Sequence, residues 1–321
     1  MPLPIGLRRR RAATLAASAA WATTAITGTV MLTQALGWDG TPIVAAGQAL
    51  TPYLVLACAG SAVIARACAR HTAAVGAAVV GMVGLGLAAP LVFTPSLPPT
   101  DDDSAQRLAS VNLLYTNNRT VDIANTLSGL DLDAIVFNEY NDAHRATLLN
   151  SPLADQLPYR VERRGEYARG IAIWSARPLA TATPPPTPKA SVAAVLDNGV
   201  ELIAFHPPTP VGDNAAWRAN LAALATAIED PQRPTVVLGD FNATYWNPSF
   251  RQLLRQGYRD AAAALGRGFA ATWPTDRLIP AFAGIDHALV ERDRLVPTAF
   301  DTFEVPGSDH RGIVVTVSRR R

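Results

Sequence analysis

Charge is nearly missing from the first third of this 321-residue chain. Before about residue 97 the only acidic, basic or imidazole side chains are the arginines at 8–11, Asp39, Arg66, Arg70 and His71. Alanine, valine, leucine and glycine fill nearly all the rest, which excludes an ordinary soluble half-domain, because a soluble helix keeps a polar face. Cysteine is equally scarce. Cys58 and Cys68 are the two in the chain, ten positions apart in what should be largely one helix. That spacing excludes an easy disulfide, and neither neighbour set resembles a metal site. The region after Asp101 has no cysteine, which suits export to an oxidising space and a reducing cytosol equally. A basic stripe is absent too. All but six of the 28 Lys+Arg and all but one of the 26 Asp+Glu follow Thr100, so this part is slightly acidic although the whole chain is +2. The basic balance therefore comes from the N-terminal flank and says little about affinity for nucleic acid.

What fills the charge-poor third is three apolar stretches, 12–36, 42–65 and 72–91. Each approaches the roughly 20 residues a helix needs to cross a bilayer. The arginines at 8–11 precede the first, Arg66 and Arg70 separate the second from the third, and the other flanks carry no Lys or Arg. By the positive-inside bias the N-terminus and the second loop are cytoplasmic, and the chain emerges outside after the third span. The expectation is an integral protein of the plasma membrane: an anchor over 1–94 with three transmembrane helices, then a linker over 95–105 built on Pro95, Pro98, Pro99 and three aspartates. A cleaved leader of twin-arginine type is the other reading of the first stretch, and the two remaining stretches would still anchor the product. No carboxylate, lysine or broken helix pair is evident within the spans, so they read as an anchor rather than a transport path.

Beyond the linker, apolar runs of strand length at 108–115, 134–137, 170–174, 192–196, 201–205, 235–238, 285–290 and 312–317 alternate with helical stretches at 121–129, 214–229 and 249–256. Asp213 is a plausible N-cap of the second helix. This mixed order suggests sheets covered by helices, with hairpins interrupting strict alternation.

Several of the runs end in a carboxylate, amide or imidazole. Asn112 interrupts the first, Glu139 follows Ala-Ile-Val-Phe-Asn, and His206 follows Leu-Ile-Ala-Phe. Asp240 and Asn242 follow Val-Val-Leu-Gly, Asp286 opens Ile-Asp-His-Ala-Leu-Val, and Asp309 and His310 precede Gly-Ile-Val-Val. Strand ends open into shared crevices, so residues far apart in sequence can converge there. Taken singly, each has a plainer reading as a turn residue or a solvated strand end, and His287 reads as structural. Taken together they are what phosphoester hydrolysis needs. Hard oxygen ligands such as Glu139 and Asp309 suit Mg²⁺ or Mn²⁺, whereas five histidines without ligand spacing suit zinc poorly. Asp240 could take a proton from an attacking water or orient it, and His206 and His310 could stabilise charge on the phosphate.

In this order the residues resemble the endonuclease/exonuclease/phosphatase superfamily, which includes pancreatic-type deoxyribonucleases, abasic-site endonucleases, inositol-polyphosphate phosphatases and neutral sphingomyelinases. The resemblance covers about 106–318. Val111-Asn112-Leu113 resembles the first motif, whose Asn sits by the metal; Asn138-Glu139 stands where Gln-Glu is usual and implies that Glu139 is the principal metal ligand. Gly239-Asp240-Phe241-Asn242 implies a water-activating Asp240 and an Asn242 that holds phosphate. Ser308-Asp309-His310 gives Asp309 to metal or water and His310 to phosphate, with Asp286 as the carboxylate paired to that histidine. His206 fits the deoxyribonuclease and sphingomyelinase branches. Arg177, Arg218 and Trp273 fall where the family has phosphate-side residues.

The resemblance implies an α/β four-layer sandwich of two packed mixed β-sheets flanked by helices. It also implies a divalent-metal phosphoesterase, most simply of endonuclease type, with a lipid or inositol phosphate as the alternative substrate. Expected partners are a phosphoester (nucleic acid, phospholipid or phosphorylated small molecule) and the bilayer, and no protein partner is inferable. A binding module without activity is the competing class, and it would be expected to have lost Glu139, Asp240, Asn242, Asp309 or His310, all of which are present.

Overall fold

The computed structural model describes residues 5–94, 96–188 and 190–321. The chain divides into two compact units: one runs to Ala89 and takes in Trp246–Pro248, and the other comprises Pro90–Tyr245 and Ser249–Arg321. Pro95 of the expected linker, and the side chains of Arg8 and Arg9 in the expected basic flank, lie outside the described residues.

In the first unit, α1 (Ile5–Ala35), α2 (Pro42–Ala49), α3 (Thr51–Ala67) and α4 (His71–Ala88) invert the usual distribution of side-chain size. Small residues such as Ala20, Ala65 and Ala77 are buried, while Leu15, Ile26, Leu56 and Met82 face outward. Close packing on small residues with large apolar groups outside is what a helix bundle in lipid uses. Among the described residues two helices, Arg10–Ala35 and His71–Leu91, are long and apolar enough to cross a membrane. The second apolar stretch, expected as one straight helix, is instead α2 and α3, bent by 63°. The break falls just before Pro52, whose ring would clash with the carbonyl of Gln48 in a continuous helix. That carbonyl accepts the Thr51 hydroxyl instead, at 2.6 Å. A broken helix pair therefore exists where the sequence suggested none, and the candidate spans number two, or three if the bent pair counts as one. Both cysteines are free, and the Cys58 thiol bonds Thr27 Oγ1 at 3.2 Å.

The second unit carries β1 (Thr100–Asn112), β2 (Ala134–Asn138), β3 (Tyr159–Arg163), β4 (Ile171–Ser175), β5 (Ala180–Thr181) and β6 (Ser191–Val195). It continues with β7 (Glu201–Phe205), β8 (Thr235–Asp240), β9 (Tyr258–Asp260), β10 (Asp286–Glu291), β11 (Leu295–Glu304) and β12 (Arg311–Arg320). They form two six-stranded sheets, β11-β12-β1-β2-β4-β3 and β5-β6-β7-β8-β10-β9. Both are mixed: β1 and β2 are parallel across α5 (Thr120–Ser128), β7 and β8 are parallel across α8 (Asn214–Ala227), and the remaining pairs are antiparallel.

Side-chain alternation along the strands fixes the layers. Leu108, Val136 and Ile173 of the first sheet pack with Leu202, Val236, Leu238 and Ala288 of the second in one core. Val111, Phe137 and Trp174 turn the other way, onto Ile123 and Leu127 of α5 and onto α6 (Asp142–Leu149) and α7 (Pro152–Gln156). On the second sheet, α8 buries Trp217, Leu221 and Leu224. Its N-cap is Asp213, which accepts from Ala216 N at 3.0 Å. The architecture is the expected four-layer α/β sandwich.

One boundary differs from expectation. Residues 100–105 belong to β1 rather than to a linker: Thr100 pairs with Arg320 and Asp101 with Arg319, and Arg321 N donates to Pro99 O at 3.1 Å.

Candidate active site

The two parallel strand pairs end in register, Asn112 beside Asn138 and Phe205 beside Gly239, so four chain segments deliver their next residues to one place. The turns there are tight. Glu139 (φ 57) and Asn242 (φ 48) take left-handed backbone conformations uncommon for side-chain-bearing residues, a form of strain that gathers at functional sites. At Gly239 (φ 154) a Cβ would run into the Phe205 carbonyl, so only glycine lets β8 approach β7 this closely.

Asp240 is the centre. Its backbone N–H donates to Asn138 Oδ1 at 3.0 Å, which ties the end of the second sheet to the first. The Asn112 amide donates to Asp240 Oδ2 at 3.0 Å and to Glu139 Oε1 at 3.1 Å, spacing the two carboxylates with one group. The other Glu139 oxygen accepts from Tyr115 N at 2.9 Å. Asp240 Oδ1 accepts the Asn242 N–H at 2.8 Å, while the Asn242 amide donates to Pro207 O at 3.1 Å. On the open side of Asp240 Oδ2 stand two imidazoles, His206 Nε2 at 3.6 Å and His310 Nε2 at 3.7 Å.

His310 is held from behind: its Nδ1 lies 2.9 Å from Asp286 Oδ2, and its N–H donates to Ser308 Oγ at 3.1 Å. Ser308 Oγ in turn donates to Asn112 O at 2.7 Å, and Thr272 Oγ1 accepts from Asp286 N at 3.3 Å. Burial works to lower the His310 pKa, but the charges of Asp286 and Asp240 and the Asp286 hydrogen bond outweigh it and raise it to about 10. Burial raises the Asp240 carboxyl above the usual carboxylate range, with His310 and His206 pulling the other way. Asp309 presents Oδ1 to His310 Nε2 at 3.9 Å, and its Oδ2 accepts from Trp273 Nε1 at 3.0 Å.

The structure thus connects nine of the residues singled out in the sequence: Asn112, Glu139, His206, Asp240, Asn242, Trp273, Asp286, Asp309 and His310. One other, Arg177, it does not bring there. Arg177 follows Ser175, which pairs with Ala134 at the start of β2, whereas Glu139 follows the end of that strand. It therefore lies at the opposite end of the strands, at least about 16 Å away by strand rise, where it pairs with Asp197 at 3.0 Å. The antiparallel direction of β4 is the reason: its end points away from the end of β2. Arg218 is exposed on α8, next to Trp217, whose indole turns inward and donates to Phe241 O, between Asp240 and Asn242, at 3.2 Å.

His287 is structural: Nδ1 meets Asp260 Oδ2 at 2.6 Å and Nε2 meets Ala243 O at 2.9 Å, bracing the loop after Asn242. Asn138, Thr272 and Ser308 hold site residues in place without having been assigned roles from the sequence. A buried amide at the end of an apolar run is the one signal that marked Asn138.

Among the described residues one set of ligand atoms, from Asp240, Asp286 and His310, lies mutually within 4.8 Å and could hold a cation by distance alone. Its chemistry argues otherwise, because His310 Nδ1 is already used by Asp286 and a protonated imidazole repels a cation. The Glu139 carboxylate is half-buried and oriented by an amide and a backbone N–H, which fits a hard divalent ion better.

A four-layer sandwich of two mixed sheets with carboxylates and imidazoles at paired strand ends defines a class of phosphoester hydrolases. Residues 109–310 match the model of the Endonuclease/Exonuclease/phosphatase family. The chain belongs to that family, whose members are metal-dependent hydrolases acting on phosphoester bonds. Among solved structures, the fold is similar to a D. rerio TDP2 humanized by 14 mutations, with TM-score 0.55 and 16% identity over 67% of this chain and 99% of that one. It is also similar to D. rerio TDP2 complexed with a single-strand DNA product, with TM-score 0.53 and 17% identity over 67% and 100%. An AP endonuclease from Archaeoglobus fulgidus gives TM-score 0.51 and 13% identity over 65% and 98%. No curated protein matches the sequence as a relative.

Proposed function

We propose that the second unit hydrolyses phosphodiesters by an endonuclease-type reaction and that the first unit anchors it in a membrane. The observation that carries the reaction is the environment of Asp240: a buried carboxylate facing two imidazoles, one of them backed by a second buried carboxylate. Glu139 and Asn112 would hold a Mg²⁺ or Mn²⁺ ion, with Asp309 as a further oxygen donor or as the group that orients water. When bound, the ion neutralises phosphate oxygens.

The protein's own residues do the rest. Asp240 accepts a proton from the attacking water, its orientation fixed by Asn112 and by the Asn242 N–H. His310, kept protonated by Asp286, donates to a phosphate oxygen as charge develops there, and His206 and the Asn242 amide border the same space. The likeness to structures of a DNA-bound TDP2 and an AP endonuclease favours a nucleic-acid strand as substrate. A lipid or inositol phosphate is the second reading, favoured by the apolar exterior of the first unit.

The test is a panel of bis-p-nitrophenyl phosphate, plasmid DNA and phospholipids, assayed with Mg²⁺ and again with EDTA. Turnover of the nitrophenyl diester and of DNA, abolished by EDTA and restored by Mg²⁺, is the expected result. Metal-independent turnover would remove the cation from the mechanism, and cleavage confined to lipid would replace the substrate.

Orientation has its own test. The charges at 8–11, Arg66 and Arg70 support a topology with the second unit outside the cytoplasm. A reporter active only outside, fused after Thr100, should be active, and a silent fusion beside an active cytoplasmic reporter would reverse the topology.

A further inference from the structure

Beside the site, and sharing His310 and Ser308 with it, lies a cleft of about 890 Å³. One wall is the loop that leaves β-like pairing at Trp273 and returns to it at Ala283; it is pinned to the site by Thr275, whose N–H donates to Asp309 O and whose hydroxyl donates to Ser308 O, both at 2.9 Å. The other wall is the turn from Glu304 to Gly307. Arg119, Arg277 and Arg311 line this space, against a single carboxylate, Glu304. Among the described residues Arg119 and Arg277 pair only with their own exposed neighbours Asp122 and Asp276, at 2.8 and 3.2 Å, and such pairs cost little to exchange for a ligand. Arg311 follows His310 directly, and among the described residues its side chain makes no ion pair and one long bond, 3.5 Å to Thr302 Oγ1.

At the Glu139 end of the site a different surface appears. Tyr115, whose N–H holds Glu139, stacks edge-on with Tyr167 at 6.1 Å, and both rings are exposed, by 40% and 71%. An exposed aromatic pair next to a catalytic carboxylate has no packing reason to be there, and base-sized rings stack on such a platform.

We infer that a nucleic-acid strand crosses the site with a base on Tyr115 and Tyr167 at one end and a second phosphate, beyond the scissile one, in the cleft held by Arg311, Arg277 and Arg119. The inference rests on the phosphodiesterase reading and deepens it by assigning specificity to residues outside the reacting group. Guanidinium forks suit phosphate oxygens bidentately, and the cleft is far larger than one phosphate requires. A substrate with a single phosphate uses the reacting centre but neither flanking surface.

The experiment measures binding apart from turnover. Fluorescein-labelled pentathymidylate is titrated by anisotropy against the detergent-solubilised full chain in EDTA, so that nothing is cleaved. The double variant Arg277→Ala/Arg311→Ala should weaken affinity at least tenfold and flatten its salt dependence. Tyr115→Ala/Tyr167→Ala should weaken affinity without changing the salt slope, since stacking displaces no counterions. Arg277→Lys/Arg311→Lys, which keeps charge and fold but loses the fork, should fall between wild type and the alanine pair. Unchanged affinity in the arginine variants, at unchanged thermal stability, overturns the inference. So does displacement of the label by soluble short-chain phosphatidylglycerol more readily than by unlabelled oligonucleotide, which would give the cleft to lipid. Failure of the phosphodiesterase reading registers separately, as absent Mg²⁺-dependent hydrolysis of bis-p-nitrophenyl phosphate.

Discussion

Replacing Asp240 by alanine is expected to lower Mg²⁺-dependent hydrolysis of bis-p-nitrophenyl phosphate by about 10³-fold, within the range a positioned general base contributes. The side chain is 2% exposed, so it cannot be replaced by a neighbouring solvent group. It also joins both halves of the site, accepting from the Asn112 amide and the Asn242 N–H while facing two imidazoles. Its loss removes the proton acceptor and releases His206 and His310 from the charge that orients them. Asp240→Asn keeps the volume and removes the basicity, so it separates chemistry from packing: a similar loss of rate at near-native stability is the expected outcome. Full turnover in either variant would take the proton-accepting role away from Asp240 while leaving the fold untouched.

His310→Ala should cost roughly 10²-fold or more, the scale seen when a preorganised donor to developing charge is removed. The argument rests on the carboxylate behind the ring. Asp286 Oδ2 lies 2.9 Å from Nδ1, so the far nitrogen, Nε2, is the one turned toward Asp240 and the open side of the site. A pKa raised to about 10 by Asp286 and Asp240 keeps that nitrogen a donor throughout the neutral range. Affinity for Mg²⁺, measured by calorimetry, should change little, because the ion is assigned to Glu139 and Asn112. A near-wild-type rate would remove the charge-stabilising role. Abolished metal binding would move the ion to the cluster of Asp240, Asp286 and His310.

Most of the residues that gather at the site were legible because they stand at one end of an apolar run of strand length, and a polar group there has a physical position before any contact is known: it lies where the sheet ends. What could not be read was direction. Arg177 also follows a strand, but β4 runs antiparallel to β2, so its end lies at the wrong edge, and nothing local in the sequence distinguishes the two cases. The supporting residues were hidden for another reason. Asn138, Thr272 and Ser308 act through backbone groups of residues more than ten positions away, and such bonds leave no periodic trace. Elements such as β3, β9, β11, α6 and α7, which the apolar runs do not mark, are short, half-exposed or rich in charge, so neither a two-residue nor a helical period dominates them. In the first unit, composition identified the apolar stretches, but Pro52 was absorbed into one of them although its ring chemistry already forbade a straight helix.

The pairing of Thr100 with Arg320, together with the bond from Arg321 to Pro99, brings both ends of the second unit to one corner of its sheet. From that corner to the site runs the length of β12, 10 residues, or roughly 30 Å at ordinary strand rise, since β1 bulges between Asp101 and Gln106. A fluorescent protein or affinity handle fused after Arg321 would therefore begin far from the reacting groups, and such a fusion should turn over small diesters at the rate of the untagged enzyme.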